Sequence, residues 1–243
     1  MGRQGAVLQV AVVIPNYNYG QWLGQCIKSV RAQEYQLGRI IDQIIVVDGG
    51  STDDSVSVAK ELGVECIVDP IGSCARHMNT GIKAAEFADF VVTLHSDDWL
   101  EPNFIDSCLA MVKSTTGLVA TGMQWEELDT IMWPGPPGGV QLPDEPITLP
   151  RLLMGNRLFC CNLIRRAAWV DVGGFDVSIG FEDWDFWIRV VAAGYGVEVI
   201  NEPLFHHRAH PHSGMSQLDE NAAYRCRSAI RAKHAPLLAL HGL

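Results

Sequence analysis

Residues 43–62 read QIIVVDGGSTDDSVSVAKEL: an unbroken apolar run, a glycine-containing turn, then a segment with helical spacing. A strand that is apolar throughout, rather than at alternate positions, is buried on both faces, and such strands belong to parallel sheets covered by helices. The same grammar holds on either side. Upstream, residues 7–14 are nearly all apolar, and Trp22, Cys26, Ile27 and Val30 give residues 21–33 the spacing of a helix. Downstream, residues 64–68, 74–86, 90–94 and 102–113 read as strand, helix, strand and helix. This alternation predicts an α/β fold wound in the right-handed sense around a parallel sheet.

Beyond a further strand at 117–123 the texture changes. Residues 133–150 hold six prolines and three glycines, which makes them a loop, either a lid over a site or a plain surface connection. A short helix from Leu152, a strand at 159–164, the turn Gly173-Gly174-Phe175-Asp176 and a helix over 181–193 follow. Short strands at 197–200 and 204–207 precede a final helix over 218–234. Residues 1–217 are expected to form one domain, with 1–98 and 99–217 as its halves and 218–243 as a helical extension.

Composition narrows the function. The 243 residues are 48% hydrophobic and 19% charged, enough to bury a core. A net charge of −10 disfavours nucleic acid and anionic lipid as nonspecific partners. Arg225, Arg227, Arg231 and Lys233 nevertheless crowd together, as a solvated helix face or a local basic patch. Seven cysteines, with Cys160 and Cys161 adjacent and no Cys-x-x-Cys pair, point to a reducing, cytoplasmic compartment. The apolar start fails as a signal peptide, because Gln9 interrupts it and Pro15-Asn16 follows.

Polar residues gather where the expected strands end: Pro15-Asn16-Tyr17-Asn18, Asp48-Gly49-Gly50-Ser51, and His95-Ser96-Asp97-Asp98. In an open parallel sheet that rim is where ligands bind. Asp48 and its glycines also read as a turn with a helix cap, and Asp97-Asp98 as a helix start. Two adjacent carboxylates after a buried strand nevertheless invite a cation; Mg²⁺ and Mn²⁺ combine carboxylates with substrate phosphates. Phosphate-loop and dinucleotide fingerprints are absent from the sequence. Further along, Glu182 and Asp183 fall in a first helical turn, where acids also serve as simple dipole partners. Asp185 and Arg189 are spaced as an i,i+4 pair. Four histidines fall within residues 206–212, without the cysteines or carboxylates that would complete a zinc tetrahedron among their neighbours. One of them is positioned to join the Asp97 cation, and Arg208 to neutralise phosphate.

In order, VVIPNYN (12–18), IIVVDGGSTDDSV (44–56), CARHMNTGIKAA (74–85), VVTLHSDDWLEPN (91–103), VGGFDVSIGFEDWDFWIR (172–189) and HRAHPHSGMS (207–216) resemble glycosyltransferase family 2. The resemblance implies a Rossmann-like fold called GT-A, with a mostly parallel sheet flanked by helices and an acceptor-side C-terminal half. It also implies inverting transfer from a nucleotide-sugar donor, UDP-linked in most relatives, to a glycan or lipid-linked acceptor in polysaccharide or glycolipid assembly. With a lipid-linked acceptor, the basic C-terminal helix would rest peripherally on a membrane. Pro15, Asn16, Tyr17 and Asn18 would border the base and ribose, with Asp48 bonded to the base. Arg76 and Asn79 would meet the diphosphate and sugar, alongside Ser96, Asp97 and Arg208. Asp97, Asp98 and His210 would hold Mg²⁺ or Mn²⁺. Asp183 would be the general base, with Glu182 beside it. The sequence departs from the family pattern at Gly49, where an acid is common, and at His95, which replaces the first acid or amide of the D-x-D element. The acceptor would be met near Trp125, Trp133 and residues 156–162.

Overall fold

β1 (Val10–Asn16) is buried from end to end, and its side chains divide by parity. Val10, Val12 and Ile14 join one hydrophobic core, while Ala11 and Val13 join another. Pleating sends successive side chains to opposite faces, so this strand separates two helical layers. The computed structural model describes residues 8–33, 41–126, 139–211, 213 and 219–243. After β1 come α1 (Gly20–Arg31), β2 (Ile41–Asp48), α2 (Ser55–Glu61), β3 (Glu65–Val68), α3 (Cys74–Ala84) and β4 (Phe90–Thr93). Next are β5 (Trp99–Leu100), α4 (Phe104–Ala110), β6 (Thr116–Glu126), β7 (Val140–Gln141), α5 (Leu149–Met154) and β8 (Asn162–Arg165). α6 (Arg166–Asp171), α7 (Glu182–Ala192), β9 (Gly196–Arg208), α8 (Glu220–Lys233) and α9 (Ala235–Leu240) complete the order.

One sheet runs through the molecule in the order β3-β2-β1-β4-β8-β6-β9-β5, with β7 added on β6. β3, β2, β1 and β4 are parallel, as their continuous apolar runs predict. β8 is antiparallel to both of its neighbours, and β6 and β9 are parallel again. Side chains of α1, α2 and α4 fill one core, and those of α3, α5, α6 and α7 fill the other. Ile230 of α8 and Leu238 of α9 belong to that second core, so the C-terminal helices are built onto the domain.

Three expectations are corrected. The two short strands after α7 are one strand, β9, which slips in register against β6 around Gly122. Thr121 pairs with Ile200 but Gly122 pairs with Pro203, leaving Asn201 and Glu202 as a bulge. A polar bulge ending in proline reads from sequence as a break. The proline-rich stretch is not loop throughout: Val140 and Gln141 pair with Gln124 and Met123, and Pro150 sits in the first turn of α5. Residues 133–138, Trp133 among them, lie outside the described residues, as do the starts of the first strand and of the last helix. The helical spacing after the Asp48 turn predicts a helix over 52–62, but α2 starts only at Ser55, because the Asp53 carboxylate first accepts bonds from Ser55 and from the Gly20 N–H.

Gly81 sets the distance between α3 and β1. A Cβ there would lie 2.2 Å from Val13 Cγ1. Alanine gains about 1 kcal/mol in helix propensity, but overpacking a core typically costs about 1–3 kcal/mol. The clash is with a stiff β-branched side chain, so Gly81→Ala is expected to be destabilising on balance. A lower urea midpoint at unchanged slope would show this; a midpoint at or above wild type would refute it.

Candidate active site

The loop after β2 is organised around one carboxylate. Asp48 Oδ1 accepts from the N–H groups of Gly50 (3.0 Å) and Ser51 (2.8 Å). Its Oδ2 accepts from Asn16 Nδ2 and Ser51 Oγ, both at 2.7 Å. Asp48 is fully buried and its lone pairs are in use, so a nucleobase would have to displace one of these donors. Asn18 takes the left-handed conformation (φ 55°), which asparagine tolerates, and its Oδ1 accepts from Thr52 N at 2.8 Å. Pro15 is buried within β1, whereas Tyr17 is 57% exposed and offers a ring at the rim. The departure at Gly49 has a steric cause: a Cβ there would lie 2.8 Å from His77 Cε1 and 3.3 Å from Tyr17 Cδ2.

β5 explains how Asp97-Asp98 meets the histidine stretch. It lies directly after the two acids and pairs antiparallel with β9, Trp99 against His206. The β9 bulge resets the register so that His207 and Arg208 run beside Trp125 and Glu126. His210 Nε2 consequently lies 3.0 Å from Asp97 Oδ2, across 113 residues of sequence. Both side chains are almost wholly buried, and the His210 ring packs on Tyr19 and Trp22. Burial would raise Asp97, but the His210 bond and the nearby imidazoles of His95 and His207 hold it below its ordinary value. Burial, with Asp97 close by, pushes the Tyr19 phenol up to about 12. Asp98 turns the other way, to His207 Nδ1 (3.0 Å) and the Arg208 N–H (3.0 Å). Burial alone would lower His207, but the charge and hydrogen bond of Asp98 raise it. The two acids thus avoid repulsion by each taking a separate imidazole. An octahedral ion with bonds of roughly 2.1 Å has adjacent ligands roughly 3 Å apart, a separation that Asp97 and His210 already match. Their oxygen and nitrogen donors fit Mn²⁺ somewhat better than Mg²⁺. The Ser96 hydroxyl next to them is buried without a hydrogen-bond partner among the described residues.

Glu182 and Asp183 open α7 behind Phe181, which is left-handed (φ 58°). Asp183 Oδ1 accepts from Trp184 N (2.7 Å) and Oδ2 from Asn156 Nδ2 (3.1 Å). Burial raises Asp183 above the ordinary carboxylate range, and burial plus the charge of Asp183 raises Glu182. A carboxylate with a raised pKa is a stronger base. Asp185 faces the interior, where it pairs with Arg189 at 2.8 Å as its i,i+4 spacing predicted.

Three assignments change. Asn79 does not face the rim: its Nδ2 donates to Phe175 O (2.8 Å), while Oδ1 accepts from Phe175 N (2.9 Å) and Trp169 Nε1 (3.1 Å). It clamps the Gly173-Gly174-Phe175 turn. Arg208 is 4% exposed, with its guanidinium between Trp22 and Trp99, donating to Asp97 O and Gln25 Oε1. It braces the acidic turn from inside rather than reaching for phosphate. Trp125 is buried against His207 and bonded to Gln141, not presented to an acceptor. Arg76 is half-exposed and paired with Asp69 at 3.0 Å, at the mouth of α3. Sequence reading overlooked His207 as the partner of Asp98 and Asn156 as the partner of Asp183. Of the histidine stretch, His212 and residues 214–216 lie outside the described residues.

The chain is similar to several known proteins. The EpsH protein of Bacillus subtilis (strain 168) is 25% identical over 240 residues, covering 88% of this chain and 68% of that one. Among solved structures, S. aureus TarS 1-349 in complex with UDP-GlcNAc superposes with a TM-score of 0.69 at 18% identity, over 93% of this chain and 66% of that one. The mannosyltransferase PcManGT from Pyrobaculum calidifontis, in complex with GDP-Man and Mn²⁺, gives a TM-score of 0.63 at 16% identity, over 93% of this chain and 64% of that one. At such identities these structures speak for the fold alone, which is GT-A. The family model described as Glycosyl transferase family 2 matches residues 11–168, more than half of the chain. This protein therefore belongs to glycosyltransferase family 2.

Proposed function

We propose that the chain is an inverting glycosyltransferase that moves a sugar from a nucleotide diphosphate sugar, UDP-linked by preference, to an acceptor hydroxyl. The acceptor would be a glycan or lipid-linked chain in polysaccharide or glycolipid assembly. The observation that carries this reading is the Asp97–His210 pair, buried at 3.0 Å and sharing its rim with the strand ends that hold Asn16 and Asp48. Two fold neighbours support it by what they hold, UDP-GlcNAc in one and GDP-Man with Mn²⁺ in the other.

In this reading Asp97 and His210 hold Mn²⁺ or Mg²⁺, which when bound offsets charge on the departing diphosphate. Tyr17 stacks on the base, and Arg76 turns from Asp69 toward the phosphates. Asp183, steadied by Asn156, takes the proton of the acceptor hydroxyl as that oxygen attacks the anomeric carbon opposite the nucleotide. One displacement inverts the configuration, and Asp183 carries the proton away. Arg225, Arg227 and Arg231 are exposed on α8 and would meet a membrane if the acceptor is lipid-linked, whereas Lys233 is engaged by Asp176 and Asp185. No helix among the described residues is long and apolar enough to cross a membrane.

The test is nucleotide release from a panel of UDP-, GDP- and dTDP-sugars, with Mn²⁺, with Mg²⁺ and with a chelator, on wild type and Asp97→Asn. Slow release from one UDP-sugar that needs the divalent ion and is lost in Asp97→Asn is the expected result. Binding without turnover, even with candidate acceptors, would make the protein a nucleotide-sugar-binding module of the same fold. Failure of every nucleotide to bind would overturn the reading.

A further inference from the structure

A second set of metal-ligating side chains lies on the other side of Asp98. One ligand atom each from His95, Asp98 and Cys160 falls within 4.8 Å of the others. The three come from separate places: His95 just beyond β4, Asp98 just before β5, and Cys160 shortly before β8. Their convergence follows from the order of the sheet, because β8 pairs directly with β4.

Each ligand is held from behind. Asp98 accepts from His207 Nδ1 and Arg208 N, which orient its carboxylate. The carbonyl of Cys160 accepts from Thr93 Oγ1 at 3.2 Å, tying that loop to the end of β4. The backbone carbonyl of His95 accepts from Cys26 Sγ at 3.6 Å. The Asp98 bonds fix the orientation of that ligand, and the other two hold the backbone that carries Cys160 and His95. A second thiol, Cys74 Sγ, lies 3.6 Å from His95 Nε2.

We propose that His95, Asp98 and Cys160 form a binding site for Zn²⁺, distinct from the Asp97–His210 pair. A thiolate is a poor ligand for the hard Mg²⁺ ion, whereas a thiolate, an imidazole and a carboxylate together are a good set for zinc. With zinc bonds of roughly 2.0–2.3 Å, tetrahedral ligands stand roughly 3.3–3.6 Å apart, so small side-chain rotations close the set. Three protein ligands leave a fourth coordination position for water or another donor. Binding must expel the Cys160 proton, so it strengthens as pH rises. Nothing in this proposal depends on which nucleotide sugar the protein uses.

Cobalt substitution tests it without any donor present. Co²⁺ bound by a thiolate shows a sulfur-to-metal charge-transfer band in the near ultraviolet, whereas Co²⁺ at Asp97 and His210 gives none. Titrating the metal-free full chain with Co²⁺ is expected to develop this band to one equivalent, with Zn²⁺ abolishing it. The band should persist in Cys74→Ser and vanish in Cys160→Ser, with circular dichroism confirming that both variants are folded. His95→Asn should weaken it. No band in wild type, or a band undiminished in Cys160→Ser, overturns the proposal. Loss in Cys74→Ser with retention in Cys160→Ser likewise overturns the ligand set.

Discussion

Asp183→Asn is expected to slow sugar transfer by about 10²–10⁴-fold, the usual worth of general-base help, while nucleotide-sugar binding and the fold are retained. The carboxylate contributes little to the architecture. It accepts from Trp184 N and Asn156 Nδ2; asparagine can keep the first bond, and turning the Asn156 amide to suit the second gives up only its long bond from Leu158 N at 3.3 Å. The pH dependence carries a sign. Burial raises the pKa of Asp183 in the folded state, so wild-type activity should climb with pH until this raised value is passed, and the residual rate of the variant should lack that limb. For stability the same shift works against the native state. A carboxylate that binds its proton more tightly when folded costs stability as pH rises from the unfolded pKa through the folded one. The variant should therefore gain on wild type across that window. Kinetics over a pH series, beside isothermal titration with the donor, would check all of this. A rate within a few-fold of wild type would remove Asp183 from the mechanism, and loss of donor binding would make it a binding residue instead.

Asp185→Ala is expected to cost about 3–5 kcal/mol of stability, because it takes a fully buried anion away from Arg189, whose side chain is only 18% exposed. Asp185 has no exposed surface, and its carboxylate meets Arg189 Nε (2.8 Å), Lys233 Nζ (2.8 Å) and His234 Nε2 (2.9 Å). In a chain of 243 residues each kcal/mol moves the melting temperature by roughly 2–4 °C, so a fall of roughly 6–20 °C is expected. Burial alone would raise this carboxylate, but His234, Lys233 and Arg189 together lower it to about 2. Its stabilisation is thus fully present above the ordinary carboxylate pKa of about 4 and fades as pH falls toward 2. Melting curves from neutral pH down should converge for variant and wild type at the acid end. Equal melting temperatures at neutral pH would show that the cluster contributes nothing.

The parts of the fold legible in sequence are those fixed by local burial. β1, β2 and β4 are continuous apolar runs, and nothing but a doubly covered strand suits such a run. The acidic rim was legible too, because Asp48 and Asp97 stand where strands end. What stayed hidden depends on partners far along the chain. Asn79 is consumed by Phe175, 96 residues away, and Arg208 by Gln25, 183 residues away. No spacing rule reaches so far, so both looked available for a ligand. Cys160 carried no signal, since a thiol becomes notable only through the imidazole and carboxylate that folding brings to it. The double strand expected where β9 runs failed for a different reason: two bulged residues and a proline look the same as a turn until the pairing partner is known.

The position of β8 has a mechanical consequence. Because it joins β4 to β6, the strands that carry the donor rim and those that carry the histidine stretch are bonded into one sheet, with no flexible seam between them. Sheets resist shear and bending, so the two halves cannot close on a substrate as jaws do. Whatever seals the crevice against water must come from the connections above the strand ends. In such an architecture the connections, rather than the bonded frame beneath, are where opening and, in the proposed function, the choice of acceptor would be set.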